Sequence, residues 1–238
     1  MTCEVDTAKY TQEKAMVSKS ISDETMEKER ALQEVFLAIQ MDCEDELIQL
    51  LDSNDDILNS KIDYKPLKQI HADENGSSSA ILSRWTALHE CIRQNNTRIL
   101  QLLIDNGANI EIKDGHGRTP VYYSCSISSA DPLKILLRAG ANPNPLGMDG
   151  WSALMKATQE HRCEHVEALC ENGANIMIGQ DSFCRNALDI AALLSTGQMR
   201  VYKEGNETVQ DAIAKYKKVH ILITNHVSKT MPRLLWES

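Results

Sequence analysis

Apolar residues in this chain fall in short clusters at helical spacing, each closed by a polar stop. Leu100, Leu103 and Ile104 share one face of a predicted helix, and Leu47, Leu50 and Leu51 mark another upstream. Val209, Ile213, Tyr216 and Ile223 line one side of a long amphipathic segment from Thr208 to His226. The stops recur as Gly-Ala-Asn at 107–109, 140–142 and 173–175, with Thr86, Thr119 and Ser152 each standing 21 residues before the glycine. The interval is 33 residues. A period of that length predicts a stack of helix pairs in which each unit buries its apolar face against its neighbours.

Each piece of punctuation has a physical task. Thr86 is placed to cap the helix that starts beside it, satisfying N–H groups that have no partner within the helix. Gly107 supplies the left-handed backbone that ends the second helix, and Asn109 suits the turn that follows. Asp131 before Pro132 reads as a cap followed by a first-turn proline.

The run Trp85-Thr86-Ala87-Leu88-His89-Glu90-Cys91, then Asn95-Asn96, then Ile99-Leu100-Gln101-Leu102-Leu103, then Asn106-Gly107-Ala108-Asn109 resembles an ankyrin repeat. Gly117 to Asn142 and Gly150 to Asn175 follow the same template, and Arg185 to Ala192 keeps only the first helix of a fourth unit. The resemblance covers roughly residues 30 to 226. It implies an all-α fold, a solenoid of stacked helix-turn-helix units with short β-hairpin or loop fingers. The organisation expected is a disordered acidic segment at 1–20, a degenerate capping repeat at 21–58 with a polar outer face, and an inserted loop at 59–83. Ankyrin repeats then occupy 84–197, and a loop with a C-terminal capping helix fills 198–238. The chain also departs from the family pattern. The column that usually holds histidine reads His89, Tyr122, Met155 and Asp189, so most of the histidine network across the stack is expected to be missing. Pro143 and Pro145 predict an irregular finger after the second full repeat. The family carries a hydroxylated asparagine in the hairpin, and only Asn144 matches that place; the other units have Glu111 and Met177.

Composition narrows the reading. Hydrophobic residues make up 42% of the 238 but aromatics only 5%, which suits thin helical layers filled by Leu, Ile, Val and Ala. The net charge of −9 belongs to one end: residues 1–60 hold 15 acidic and 5 basic side chains, leaving 19 and 20 in the rest. That acidity reads as a solvated cap with a capacity to steer a basic partner. With a pI near 5.3 and no basic stripe, nucleic acid is not the expected partner. Seven cysteines, an odd number, read as small apolar fillers rather than a disulfide frame. The first residues lack the pattern of a secretion signal, and no apolar run is long enough to span a membrane. The expectation is a soluble monomer in the cytoplasm, the nucleus not being excluded.

In the family, ligands lie in a concave groove made by finger tips and first helices. The position before each cap reads Trp85, Arg118, Trp151 and Arg185, a ladder of the residue types most enriched at binding hot spots. Arg93, Gln94, His116, Met148, Asp149, Gln159, Glu160 and Phe183 complete the expected partner-binding set. One run has the look of catalysis: His161-Arg162-Cys163-Glu164-His165 spells the H-x-x-E-H pattern of some zinc hydrolases. The repeat register places His161 in a turn and His165 inward between layers, so no metal site and no catalytic residue is assigned. No phosphate loop or dinucleotide fingerprint occurs, and no cofactor is expected. Three readings follow in order: a non-catalytic adaptor, scaffold or inhibitor that binds another protein, the substrate-recognition part of a ubiquitin ligase, and, remotely, a zinc hydrolase.

Overall fold

The computed structural model describes residues 24–52, 58–59, 62–63, 84–199 and 208–230; the expected disordered segment at 1–20 and most of the expected insertion lie outside these. Two compact units meet in sequence between His116 and Gly117. The first contains α1 (Glu24–Gln40), α2 (Glu44–Asp52), β1 (Ile62–Asp63), β2 (Arg84–Trp85), α3 (Ala87–Gln94) and α4 (Thr97–Asp105). The second contains α5 (Pro120–Ser124), α6 (Asp131–Arg138), α7 (Ala153–Gln159), α8 (Cys163–Glu171), α9 (Ala187–Ser195) and α10 (Val209–Thr230). Among the described residues the architecture is helical, with one two-residue strand pair and an isolated bridge, and no helix is long and apolar enough to cross a membrane.

One set of hydrogen bonds is written three times. Thr86, Thr119 and Ser152 accept from the backbone N–H of His89, Tyr122 and Met155 at 3.5, 3.3 and 3.2 Å, opening α3, α5 and α7. At the other end of each unit Gly107, Gly140 and Gly173 adopt φ of 85°, 88° and 84°, which side chains rarely tolerate. The next N–H, of Ala108, Ala141 or Ala174, then folds back to the carbonyl of Leu103, Leu136 or Leu169 at 2.9–3.0 Å and closes the helix. Asn109, Asn142 and Asn175 accept from the N–H two residues on at 2.9–3.0 Å, starting each finger. The fourth unit uses Asn186 and Asp189 in a reciprocal capping box.

Packing in the second unit follows the stack. First helices α5, α7 and α9 touch in sequence, as do α6, α8 and α10. Leu133, Leu136, Leu154, Val166, Leu169, Ile190 and Leu194 are fully buried between the layers. The capping helix α10 has 22 residues, about 33 Å at the α-helical rise, and takes the place of a fourth second helix. Its buried stripe is Ala212, Tyr216, Val219 and Ile223. Val209, expected on that stripe, is exposed, and the first buried residue of the helix is Ala212. Tyr216 latches the helix: its hydroxyl donates to the Gln159 carbonyl at 2.6 Å and its ring meets the edge of His161 with centroids 5.2 Å apart.

Two local expectations are corrected. Asp131 is the first residue of α6, and Ala130 precedes it without a side-chain cap. The finger with Pro143 and Pro145 is regular enough to carry a β-bridge, Leu146 to Ser152, because both prolines stand before the bridge and the Pro145 carbonyl still accepts from Ala153. In the first unit, α1 is buried from 34 to 39, while α2 exposes Asp45, Gln49 and Asp52. Glu34, Val35, Phe36, Leu37, Ala38 and Ile39 are all buried, and α1 packs on α2, α3 and β1.

In that unit Ile62 pairs with Trp85 and Asp63 with Arg84, antiparallel. The Asn59 side chain accepts from the N–H of Asn109 at 2.7 Å, across 50 residues. Asn144 accepts from the N–H of Asn175 in the same way, also at 2.7 Å, across 31. Asn59 therefore occupies the bridging place of Asn144, and in sequence residues 64–83 stand between the paired strands.

Replacing Tyr216 by Phe removes the hydroxyl and leaves the ring. The expected cost is about 1 kcal/mol, with the half-buried Gln159 carbonyl left short of a donor, read as a lower midpoint in urea denaturation at unchanged slope.

Candidate partner-binding surface

The expected binding residues form separate groups, each held by a different anchor. On α3, Glu90 is fully buried, and its carboxylate accepts from Arg93 at 2.6 and 2.9 Å and from Gln94 at 2.7 Å. Gln40 of α1 reaches the same carboxylate at 3.4 Å. Glu90 was not among the expected site residues, although its three- and four-residue spacing to Arg93 and Gln94 on one helix is the signal that finds it. His116 is half-buried, its N–H donating to the buried Asp114 at 2.8 Å. Trp85 lies on β2, and its side chain is outside the described ones.

In the second unit, Arg118, Met148, Asp149 and Trp151 gather around one finger. The Arg118 guanidinium lies 4.9 Å from the centre of the Tyr123 ring. Met148 packs so closely on Gly117 that a Cβ there would stand 2.7 Å from its Cγ. Asp149 accepts from the Trp151 N–H at 3.1 Å, and Gly147 donates to the Trp151 carbonyl at 2.8 Å. Tyr122, which takes the histidine place in the column, reaches this finger. A Cβ on Gly147 would meet its hydroxyl at 2.8 Å and Asp149 Oδ1 at 2.6 Å, so a larger residue there would have to displace these side chains. Burial first, and the Asp149 carboxylate second, push the Tyr122 hydroxyl up to about 12. Met155 makes the equivalent contact with Gly179 in the next finger. The column thus still joins helix to finger, with a phenol and a thioether in place of imidazole.

Phe183 and Arg185 form the next group. Asp181 is buried and accepts from the N–H groups of Phe183 and Arg185 at 2.9 and 3.0 Å and from Arg185 Nε at 2.7 Å. Those bonds hold the Asp181 carboxyl below its ordinary range against the opposing effect of burial. The Arg185 guanidinium then lies over the Phe183 ring, 4.6 Å from its centre. A backbone bond from Gln180 to the Gly150 carbonyl at 3.2 Å ties this finger to the previous one. Gln159 and Glu160 stand apart at the end of α7. Glu160 pairs with Lys156 at 2.7 Å and with Arg162 at 3.6 Å, and the Gln159 carbonyl is held by Tyr216.

The H-x-x-E-H residues diverge. His161 has φ of 47° in the turn before α8 and packs on Tyr216. His165 lies inside α8, buried, with Nε2 lacking a partner. The two rings face different neighbours, and among the described residues no three His, Cys, Asp or Glu side chains are grouped to hold a metal. Burial, helped by the Arg162 charge, lowers the His165 pKa to about 4, while Glu164 acts weakly in the opposite sense.

Against known proteins, a family model for ankyrin repeats, three copies, matches residues 35–146 and again 88–180. Human "SH3 and multiple ankyrin repeat domains protein 2" is 30% identical over 131 residues, 53% of this chain and 7% of that protein. "E3 ubiquitin-protein ligase hecd-1" of Caenorhabditis elegans is 30% identical over 127 residues, 53% of this chain and 4% of its own length. Human "Ankyrin repeat and SOCS box protein 11" is 27% identical over 121 residues, half of this chain and 36% of the relative. The chain therefore spans well under two thirds of each of these relatives.

His165 generates a prediction about acid stability. Its folded pKa lies below the ordinary value of 6.5, so between 6.5 and about 4 the unfolded chain binds the extra proton and each step down in pH favours unfolding. The contribution is intact above pH 6.5 and is lost as pH falls toward 4. Urea denaturation across this window is expected to give a falling unfolding free energy, and His165→Leu is expected to flatten that slope.

Proposed function

The chain belongs to the ankyrin repeat family, and from that premise we propose that it is a non-catalytic adaptor, scaffold or inhibitor that grips a partner protein with its first helices and fingers. Repeats of this kind are general protein-binding modules. The observation that carries the reading is the gathering of recognition side chains in the second unit, Arg118, Met148 and Trp151 around one finger and Phe183 and Arg185 around the next, with the Arg118 guanidinium on the Tyr123 ring and Arg185 clamped by buried Asp181. Side chains already held in place lose little freedom on binding, which favours affinity. We place the protein in the cytoplasm or nucleus as a monomer. The free thiols of the described cysteines support a reducing compartment.

A second reading, substrate recognition for a ubiquitin ligase, draws support from the names of two relatives, one with a SOCS box and one an E3 ligase. The two readings part at the bench. Affinity capture from the native cell with wild-type chain and an Arg118→Ala, Trp151→Ala variant is expected to lose specific partners in the variant, with circular dichroism showing both folded. An unchanged partner set sinks the groove reading. Ligase subunits retained by both forms favour the second one.

A further inference from the structure

Two helix faces, one in each unit, have the same layout with opposite charge. On α2 the exposed apolar residue is Ile48, 41% accessible, and helical spacing sets Glu44 and Asp45 four and three residues before it and Asp52 four after, on the same face. On α10 it is Ile221, 59% accessible, with Lys217 and Lys218 four and three before and Thr224 and Asn225 three and four after. Asp45, Asp52, Lys217 and Lys218 are all exposed. Helix α2 carries four carboxylates and no lysine or arginine, and α10 has four lysines against one aspartate.

These charges are mostly unanswered within the chain. Glu44 is paired with Arg98 at 2.6 Å. Asp45, Asp52, Lys217 and Lys218 make no hydrogen bond or ion pair among the described residues. Both isoleucines are open to solvent, so neither face covers the other inside one molecule. A face of one sign repels its own kind and attracts the other, so the contact favoured between two molecules joins unlike faces. Opposite charges at the rim steer that encounter, and the two isoleucines lose water at its centre.

We infer that the chain associates with a second copy of itself through these unlike faces. The Ile48 face of α2 on one molecule seats on the Ile221 face of α10 on another, with the carboxylates around Ile48 opposite the lysines around Ile221. A contact of this type leaves one face of each kind open on the joined pair, so it adds further copies unless the arrangement closes on itself. Exposed charge pairs each contribute little and are screened by salt, so the association is weak, concentration-dependent and salt-sensitive. It goes beyond the partner-binding reading and uses none of that reading's residues. The monomer proposed above is the dissociated form at low concentration.

Sedimentation equilibrium of the full chain tests this. At low salt the average mass is expected to rise above the 26.7 kDa of one chain as concentration passes about 0.1 mM, and to return toward it in about 0.5 M salt. A Lys217→Glu, Lys218→Glu variant and an Asp45→Lys, Asp52→Lys variant change only exposed side chains, and circular dichroism is expected to show both folded. Each alone is expected to associate at least about tenfold more weakly. Mixed, the two are expected to associate again, because the acidic α2 of the first meets the basic α10 of the second and the two reversed faces also match. A mass that stays at one chain up to about 1 mM at low salt overturns the inference. So does association that either reversal leaves unchanged, or a pair of deficient variants whose mixture stays dissociated. The Arg118→Ala, Trp151→Ala chain is expected to associate like wild type, so loss of partner capture and loss of self-association are read separately.

Discussion

No helix pair in this chain can bury its own apolar face, and that incompleteness governs everything else in the structure. A pair such as α7 and α8 leaves Leu154, Ala157, Val166 and Leu169 in need of a neighbour, and α5, α6, α9 and α10 supply it from either side. Burial of this kind works only if successive pairs arrive in register, and the register is set by hydrogen bonds too local to be disturbed by what lies on the surface. The threonine or serine cap, the left-handed glycine and the asparagine turn impose the same geometry three times.

Because the frame is repeated, the differences between units carry the individuality of the protein. In the column that faces the fingers, His89 bonds to Thr86 at 2.7 Å, Tyr122 extends to the finger of Asp149, and Met155 packs on Gly179. A phenol reaches further than an imidazole, and here it comes up against Gly147. The thioether makes no strong polar bond, so its joint depends on packing alone. The same frame lets buried carboxylates serve as anchors for surface cations: Glu90 under Arg93, and Asp181 under Arg185. In both cases a group costly to bury is fully hydrogen-bonded, and its reward is a side chain held still at the surface.

The candidate surface includes cations held by buried carboxylates, Arg93 by Glu90 and Arg185 by Asp181. The titratable groups that depart furthest from ordinary behaviour are buried for packing. Cys125 is pushed up to about 12 by burial, and His165 is drawn down between the layers. Both are neutral fillers at ordinary pH. The exposed residues offer rings, thioethers and clamped guanidinium groups, which are tools of recognition.

How much of this was legible in residues alone follows from the range of the interactions. Caps, left-handed glycines and asparagine turns act within five residues, so Thr86, Gly107 and Asn109 declare their roles wherever they stand, and a 33-residue period declares the stack. Glu90 could have been found from its helical spacing to Arg93. Other features were decided only by tertiary contacts. The burial of α1 from Glu34 to Ile39, the pairing of Ile62 with Trp85, the hydrogen bond of Asn59 to Asn109 across 50 residues, and the grip of Tyr216 on Gln159 all join positions that no local pattern connects. Local bonding repeats along the chain and can be read there; long-range contacts depend on which surfaces the folded stack brings face to face.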